Sequence, residues 1–216
     1  MKKNKRKNSQ MIKDFLSFPL RAVSLFEIDK WGLSSLATER FDYVTRYAKG
    51  FCLDVGCGRN NRFISEFMSG CGIGIDVYKY EGLTNKNIVK DITHFPFKKT
   101  SFDTVTFIAN IGHVPKSKRD VELLEAYRCL KKKGKIIITN GNPLAEILVH
   151  KVIYLYDKIF KTNFDLDSER GMEKEESCYV LDSEIYHRLK KAGFKKIKKH
   201  SFFTQWGLNH LIIAQK

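Results

Sequence analysis

From Phe51 onward, short apolar runs alternate with stretches whose apolar residues recur every three or four positions, the pattern of strands separated by helices. Runs at Phe51–Val55, Gly72–Val77, Asn87–Lys90 and Phe102–Ala109 predict four strands, and the continuous run Lys135–Thr139 predicts a fifth, buried on both faces. Two more are expected at Phe194–Phe203 and Leu208–Ala214. Helices are expected over residues 62–68, over a segment capped by Ser117 with Leu123, Tyr127 and Leu130 in phase and Gly134 after it, and over Asp182–Ala192. Residues 11–48 read as largely helical, interrupted at Pro19. The alternation argues for an α/β fold: a doubly wound, seven-stranded, mostly parallel sheet with an antiparallel edge strand and helices on both faces. The rhythm breaks at residues 141–181, where an apolar helix with Leu144, Leu148, Val152, Leu155 and Ile159 on one stripe is followed by the polar stretch DLDSERGMEKEES. An insertion after the fifth strand opens at the carboxyl edge of the sheet, where such folds bind ligands.

The 216 residues thus divide into a basic tail expected to be disordered (1–10) and one domain (11–216). The domain comprises N-terminal helices (11–48), a core (49–140), an insertion suited to a lid or substrate pocket (141–181), and a terminal helix with edge strands (182–216). Formal net charge is +15, from 39 Lys and Arg against 24 Asp and Glu. Thirteen of the bases lie in residues 1–10 and 185–216, which contain no acid, leaving 26 bases against 24 acids between them. The charge therefore describes the ends, and 29 of the 39 bases are Lys, whereas bidentate phosphate and base readout favours Arg. Five cysteines without a CxxC pair suggest neither a disulfide framework nor a metal site, and point to a reducing cytoplasm. No apolar run approaches the ~20 residues of a spanning helix.

Chemistry concentrates in Leu53-Asp54-Val55-Gly56-Cys57-Gly58-Arg59-Asn60. Glycines at 56 and 58 allow a tight turn and close approach to a ligand, and the following helix aims its amides at the same place. A dinucleotide fingerprint would need a third glycine at 61, which is Asn61, and no GK[ST] follows for a P-loop. Acids recur at strand ends: Asp54, Asp76 and Asp91. A carboxylate at the end of the second strand is placed to accept from ribose hydroxyls.

With LDVGCG, GIDV, DITHFPF, SFDTVTFIANIGHVP and ELLEAYRCLKKKGKIIIT, residues 40–140 resemble the class I S-adenosylmethionine-dependent methyltransferases, in particular the small-molecule group called methyltransferase type 11. The resemblance implies a Rossmann-like sheet and S-adenosylmethionine as cofactor. It places Gly56, Cys57 and Gly58 under the methionine part, with Asp54 among the cofactor-binding residues, Asp76 on the ribose and Val77 on adenine. It also implies Asp91 and the Ile92 amide at the adenine, Asn110 beside the transferred methyl, and Arg40 toward the methionine carboxylate. The family commonly has glycine where this chain has Asn60, a residue type that tolerates left-handed backbone.

Methyl transfer from a sulfonium asks the protein mainly for alignment and exclusion of water. His113 is the best-placed candidate base for an acceptor that must lose a proton. Trp31, His150, Tyr154, Tyr156 and Tyr179 could line an acceptor pocket. The chain has Asn110-Ile111-Gly112-His113 where an N-P-P-[YF] tetrapeptide for base methylation would stand, and no Pro-Cys pair. The expected activity is methylation of a small molecule or a lipid- or sugar-linked metabolite, with oxygen the favoured acceptor atom. Alternatives are an RNA methyltransferase using the basic termini, and a non-catalytic binding module. Peripheral contact with an anionic membrane is compatible with the first, since the basic tail is followed by Ile12, Phe15, Leu16, Phe18 and Leu20.

Overall fold

Strands whose side chains are apolar on both faces must be covered twice, and the sheet is built that way. The structure, a computed structural model, describes residues 7–23, 28–142, 151, 154, 155, 157, 158, 161 and 180–216. Six strands are described: β1 (Cys52–Val55), β2 (Gly72–Ile75), β3 (Phe102–Ile108), β4 (Leu130–Gly141), β5 (Lys195–Ser201) and β6 (Asn209–Gln215), in the order β2-β1-β3-β4-β6-β5. The first four run parallel, and β6 is antiparallel to both β4 and β5. Along each strand alternate residues feed two cores. Leu53, Val55, Ile136, Ile138, Ile212 and Ala214 face one side, while Cys52, Ile137, Leu211 and Ile213 face the other.

The expected strand at Asn87–Lys90 is not formed. Its contact with the sheet is one bridge, Asp76 to Ile88, because Asn87 is spent on a turn: its side chain accepts from the Thr84 amide at 3.0 Å and donates to the Gly74 carbonyl at 2.8 Å. The helix expected near residues 62–68 is a single wide turn, Phe63–Phe67, closed by the Met68 amide on the Phe63 carbonyl at 3.0 Å.

One core is covered by α3 (Arg119–Cys129) and α4 (Asp182–Lys191). Ser117 does not cap α3; the chain turns on the Pro115 carbonyl, which accepts from the Lys118 and Arg119 amides. The two helices are joined by Arg119 and Glu184 at 3.1 Å, and by Arg188 bridging Glu184 and Asp120.

The other core is covered by α2 (Leu36–Thr45), with α1 (Asn8–Val23) beyond it. Residues 8–10 of the expected tail form the first turn of α1, and residues 1–6 lie outside the described residues. The helix also runs through Pro19 instead of breaking there. A proline cannot donate to the carbonyl four residues back; here that carbonyl, of Phe15, takes the indole N–H of Trp206 at 2.9 Å instead. The adjoining rings pack: Phe15 on Phe203 with centroids 4.7 Å apart, and Phe18 on Trp206 at 5.7 Å. Beneath them Arg21 is wholly buried, paired with Glu39 at 3.0 Å and donating to the Ser34 and Asp14 carbonyls. Glu39 accepts from Gln205 at 2.6 Å. This buried cluster ties both N-terminal helices to the turn before β6.

Candidate active site

The carboxyl ends of β1, β2 and β3 open into a cleft of about 880 Å³. Its walls include Gly56, Gly58, Asp76, Val77, Asp91, Ile92, Asn110 and His113, eight of the residues singled out in the sequence. Asp54, Cys57 and Arg40 are not on its walls.

The glycine loop is shaped for a close neighbour. Gly56 sits at φ +72°, and a Cβ there would stand 2.2 Å from the Asn110 side chain. Glycine thus admits Asn110 to the floor of the loop, joining the end of β1 to the end of β3. The Gly56 and Cys57 amides both donate to the Ile75 carbonyl, at 2.8 and 3.1 Å, folding the loop back over β2. Asn60, where the family commonly has glycine, adopts left-handed backbone (φ 59°, ψ 8°), the conformation its residue type was expected to tolerate.

Asp76 is buried at the end of β2. It accepts from the Gly58 amide at 3.0 Å on one oxygen and from the Tyr78 amide at 3.1 Å on the other. Each oxygen keeps a further lone pair, so ribose hydroxyls can be added without breaking either bond. Asp91 is exposed on the rim, where its bonds from the Thr93 amide (2.9 Å) and hydroxyl (2.6 Å) hold its carboxyl below the usual range.

Asp54 stands behind the loop. It is fully buried, accepts from the Thr106 hydroxyl at 2.6 Å, and burial pushes its pKa up to about 7, with the charge of Asp76 adding to the rise. Burial likewise pushes the Cys57 thiol up, so it is not an activated nucleophile. His113 is exposed at the cleft, its amide on the Asn110 carbonyl at 2.9 Å.

Sequence reasoning missed several walls. Tyr78 and Tyr80 follow Asp76 and meet edge to face, 6.0 Å apart; their spacing in VYKYEG was the signal available. Phe95, Val114 and Glu122 also line the cleft. Of the aromatic residues considered for an acceptor pocket, Tyr154 and Trp31 are exposed and off the cleft, while His150, Tyr156 and Tyr179 lie outside the described residues, as does most of the 141–181 insertion.

The geometry fits S-adenosylmethionine: a glycine turn closed against Asn110, a buried acid at the end of the second strand, and a rim acid on the crossover from β2 to β3. Residues 53–138 match the family model described as a methyltransferase domain. No curated protein matches the sequence. Among solved structures, an S-adenosylmethionine-dependent methyltransferase from Archaeoglobus fulgidus aligns with TM-score 0.59 at 16% identity, covering 84% of this chain and 95% of that one. One from Thermotoga maritima, described as a possible histamine N-methyltransferase, aligns with TM-score 0.59 at 18% identity over 95% and 98%. Phosphoethanolamine N-methyltransferase 2 of Haemonchus contortus, in complex with phosphomonomethylethanolamine and S-adenosylhomocysteine, aligns with TM-score 0.54 at 14% identity over 83% and 53%. Residues 53–138 thus match a methyltransferase domain, set in a fold that this chain shares with S-adenosylmethionine-dependent methyltransferases.

Proposed function

We propose that this protein methylates an oxygen of a small molecule or a lipid- or sugar-linked metabolite, in the cleft at the carboxyl ends of β1–β3. The observation that carries the reading is the convergence of Gly56, Asp76, Asn110 and His113 on that one cleft. Asp76 holds the ribose hydroxyls, Val77 packs on adenine and Asp91 with the Ile92 amide meets its edge. Gly56, Cys57 and Gly58 carry the methionine portion, Asp54 backs the loop, and Arg40 serves the carboxylate from α2. Bound there, the cofactor supplies an electrophilic methyl group. Asn110 borders the reacting centre, and His113 takes the acceptor's proton.

Calorimetry with S-adenosylhomocysteine tests the site. Asp76→Ala is expected to weaken binding by about 10- to 100-fold, through loss of two hydrogen bonds to the ribose; unchanged affinity would remove Asp76 from the site. His113→Ala should keep that affinity and lower kcat by ~100-fold or more. Full kcat would end the base assignment. Two neighbours are named for amino acceptors, so product analysis showing N-methylation would overturn the oxygen assignment alone.

The same protein is suited to dock on an anionic membrane. Ile12, Leu16 and Leu20, one helical turn apart on α1, are exposed, with Phe203 and Trp206 exposed beside the helix. Among the described residues no helix is long and apolar enough to cross a membrane. Co-sedimentation with anionic but not neutral vesicles is the expected result, and no binding at low salt would end this reading.

A further inference from the structure

The apolar ridge of α1 and the mouth of the cleft meet the same edge of the sheet. Strands β1 to β4 run parallel, and the cleft opens at the carboxyl ends of β1 to β3. Strand β6 runs the other way, so it begins where β4 ends: Gly141 pairs with Asn209, and the Asn142 amide donates to the Leu208 carbonyl at 2.7 Å. The turn at residues 202–208, which leads into β6, is therefore at the carboxyl edge too. It carries Phe203 and Trp206, on which α1 packs through Phe15 and Phe18.

Two links fix that turn to the cleft. Across the sheet, Ala109 on the cleft wall donates its amide to the Thr139 hydroxyl at 2.8 Å, and Thr139 pairs with Leu211 of β6. Along α2, Glu39 accepts from Gln205 of the turn, and Phe41 packs on Phe63 and Phe67, just after the glycine loop, with centroids 5.7 and 5.1 Å away. Adjacent strands lie about 4.8 Å apart, so the start of β6, two strands from β3, is ~10 Å from the end of β3.

The chemistry of the ridge says what covers it. Ile12, Leu16, Leu20, Phe203 and Trp206 are each more than half exposed. The charge beside them is positive: Lys7 and Lys13 are exposed, whereas Asp14 of α1 is buried, accepting from the Ser34 amide and hydroxyl, both at 3.1 Å. In the sequence Lys2, Lys3, Lys5 and Arg6 come just before, and residues 1–13 contain no acid. An apolar ridge flanked by cations complements a bilayer with anionic headgroups.

We propose that the methyl acceptor is a hydroxyl on the headgroup of an anionic membrane lipid, methylated while its acyl chains stay in the bilayer. This rests on the methyl-transfer reading of the cleft and names the acceptor for it. An interfacial helix sinks about 5–10 Å into the boundary between headgroups and chains. Docking through α1 and the 202–208 turn thus holds the carboxyl edge, and the cleft on it, at the level of the headgroups. The headgroup oxygen forms the new bond to the methyl carbon, the electron pair of the broken carbon–sulfur bond stays on sulfur, and the hydroxyl proton passes to His113 on the cleft wall.

The test incubates the full chain with methyl-labelled S-adenosylmethionine and vesicles of phosphatidylglycerol or phosphatidylinositol, anionic lipids whose headgroups carry hydroxyls. Glycerol 3-phosphate and inositol phosphate serve as the soluble headgroups for comparison. Label is expected in the lipid of at least one vesicle, faster than in either soluble headgroup. Leu16→Ser should weaken co-sedimentation with the same vesicles by about tenfold and slow label transfer in step at limiting lipid, while calorimetry shows unchanged affinity for S-adenosylhomocysteine. Leu16→Ile should keep both vesicle binding and transfer. If S-adenosylhomocysteine binds, the proposal is overturned by absence of label from both lipids, by equal or faster transfer to a soluble headgroup, or by full transfer in Leu16→Ser. Failure of the unsubstituted protein to bind S-adenosylhomocysteine overturns the cofactor reading and this inference with it.

Discussion

Replacing Asp54 by asparagine should stabilise this protein, increasingly so as pH rises. In the folded state Asp54 is fully buried behind the glycine loop and its pKa is raised from 3.8 to about 7. The unfolded chain releases this proton near its ordinary value, so between pH 4 and 7 the folded form binds more protons than the unfolded form. Stability is then fully present below about pH 4 and is lost as pH rises through about 7. The interval is about three pH units, and at 1.36 kcal/mol per unit the loss amounts to ~4 kcal/mol, an order-of-magnitude figure. An asparagine has no proton to lose, and its amide can still accept from the Thr106 hydroxyl, which Asp54 holds at 2.6 Å. Urea unfolding at about pH 5 and about pH 8 measures the effect: the advantage of Asp54→Asn should grow by ~3 kcal/mol between them. Any fixed cost of burying the new amide cancels in that difference. A stability difference that does not change with pH would refute the reasoning, since it would mean that Asp54 is ionised in the folded protein throughout.

Gly56→Ala meets two obstacles, the positive φ and the Asn110 side chain 2.2 Å from the new carbon; the backbone strain alone should cost about 1–2 kcal/mol, and adding Asn110→Gly should relieve only the collision in thermal melts. Arg21→Met removes the ion-pair partner of Glu39, which is 0% exposed, and should cost about 3–5 kcal/mol in urea unfolding; a neutral result would mean that the other groups around Glu39, Gln205 among them, satisfy it. Trp206→Phe keeps a ring against Phe15 and Phe18 but strips the Phe15 carbonyl of its donor, for an expected loss of about 0.5–1.5 kcal/mol. Trp206→Phe combined with Pro19→Ala, which restores the helical amide, should lose less.

The parallel core was legible because strands covered on both faces are rich in apolar and β-branched residues, as Lys135–Thr139 and Phe102–Ala109 are. The glycine loop was legible because its backbone needs were met by residue type, down to Asn60 in the left-handed region. Where side chains answer to tertiary partners, the pattern misled. Pro19 reads as a helix break unless one knows that Trp206, far along the chain, supplies a donor. On α3, Arg119 and Glu122 are buried while Val121 and Leu124 are 39% and 48% exposed; no apolar periodicity could reveal that inversion. The basic stretch near the end was also only partly free charge: Arg188 and Lys191 are committed to Asp120, Lys199 to Asp182, and Lys216 to the Tyr127 and Leu130 carbonyls.

The place of β6 between β4 and β5 sets an order of assembly. Strands β1 to β4 can pair as soon as they leave the ribosome, but β5 is made before β6, the one strand it bonds to among the described residues. Until residues 209–215 arrive, β4 therefore offers an open apolar margin, and β5 waits as an unpaired ribbon. Lys195, Lys196, Lys198 and Lys199 on β5 would repel a second copy of that ribbon during the wait. The lysines that looked like a docking signal are thus also suited to protect a nascent chain from its neighbours on the same messenger.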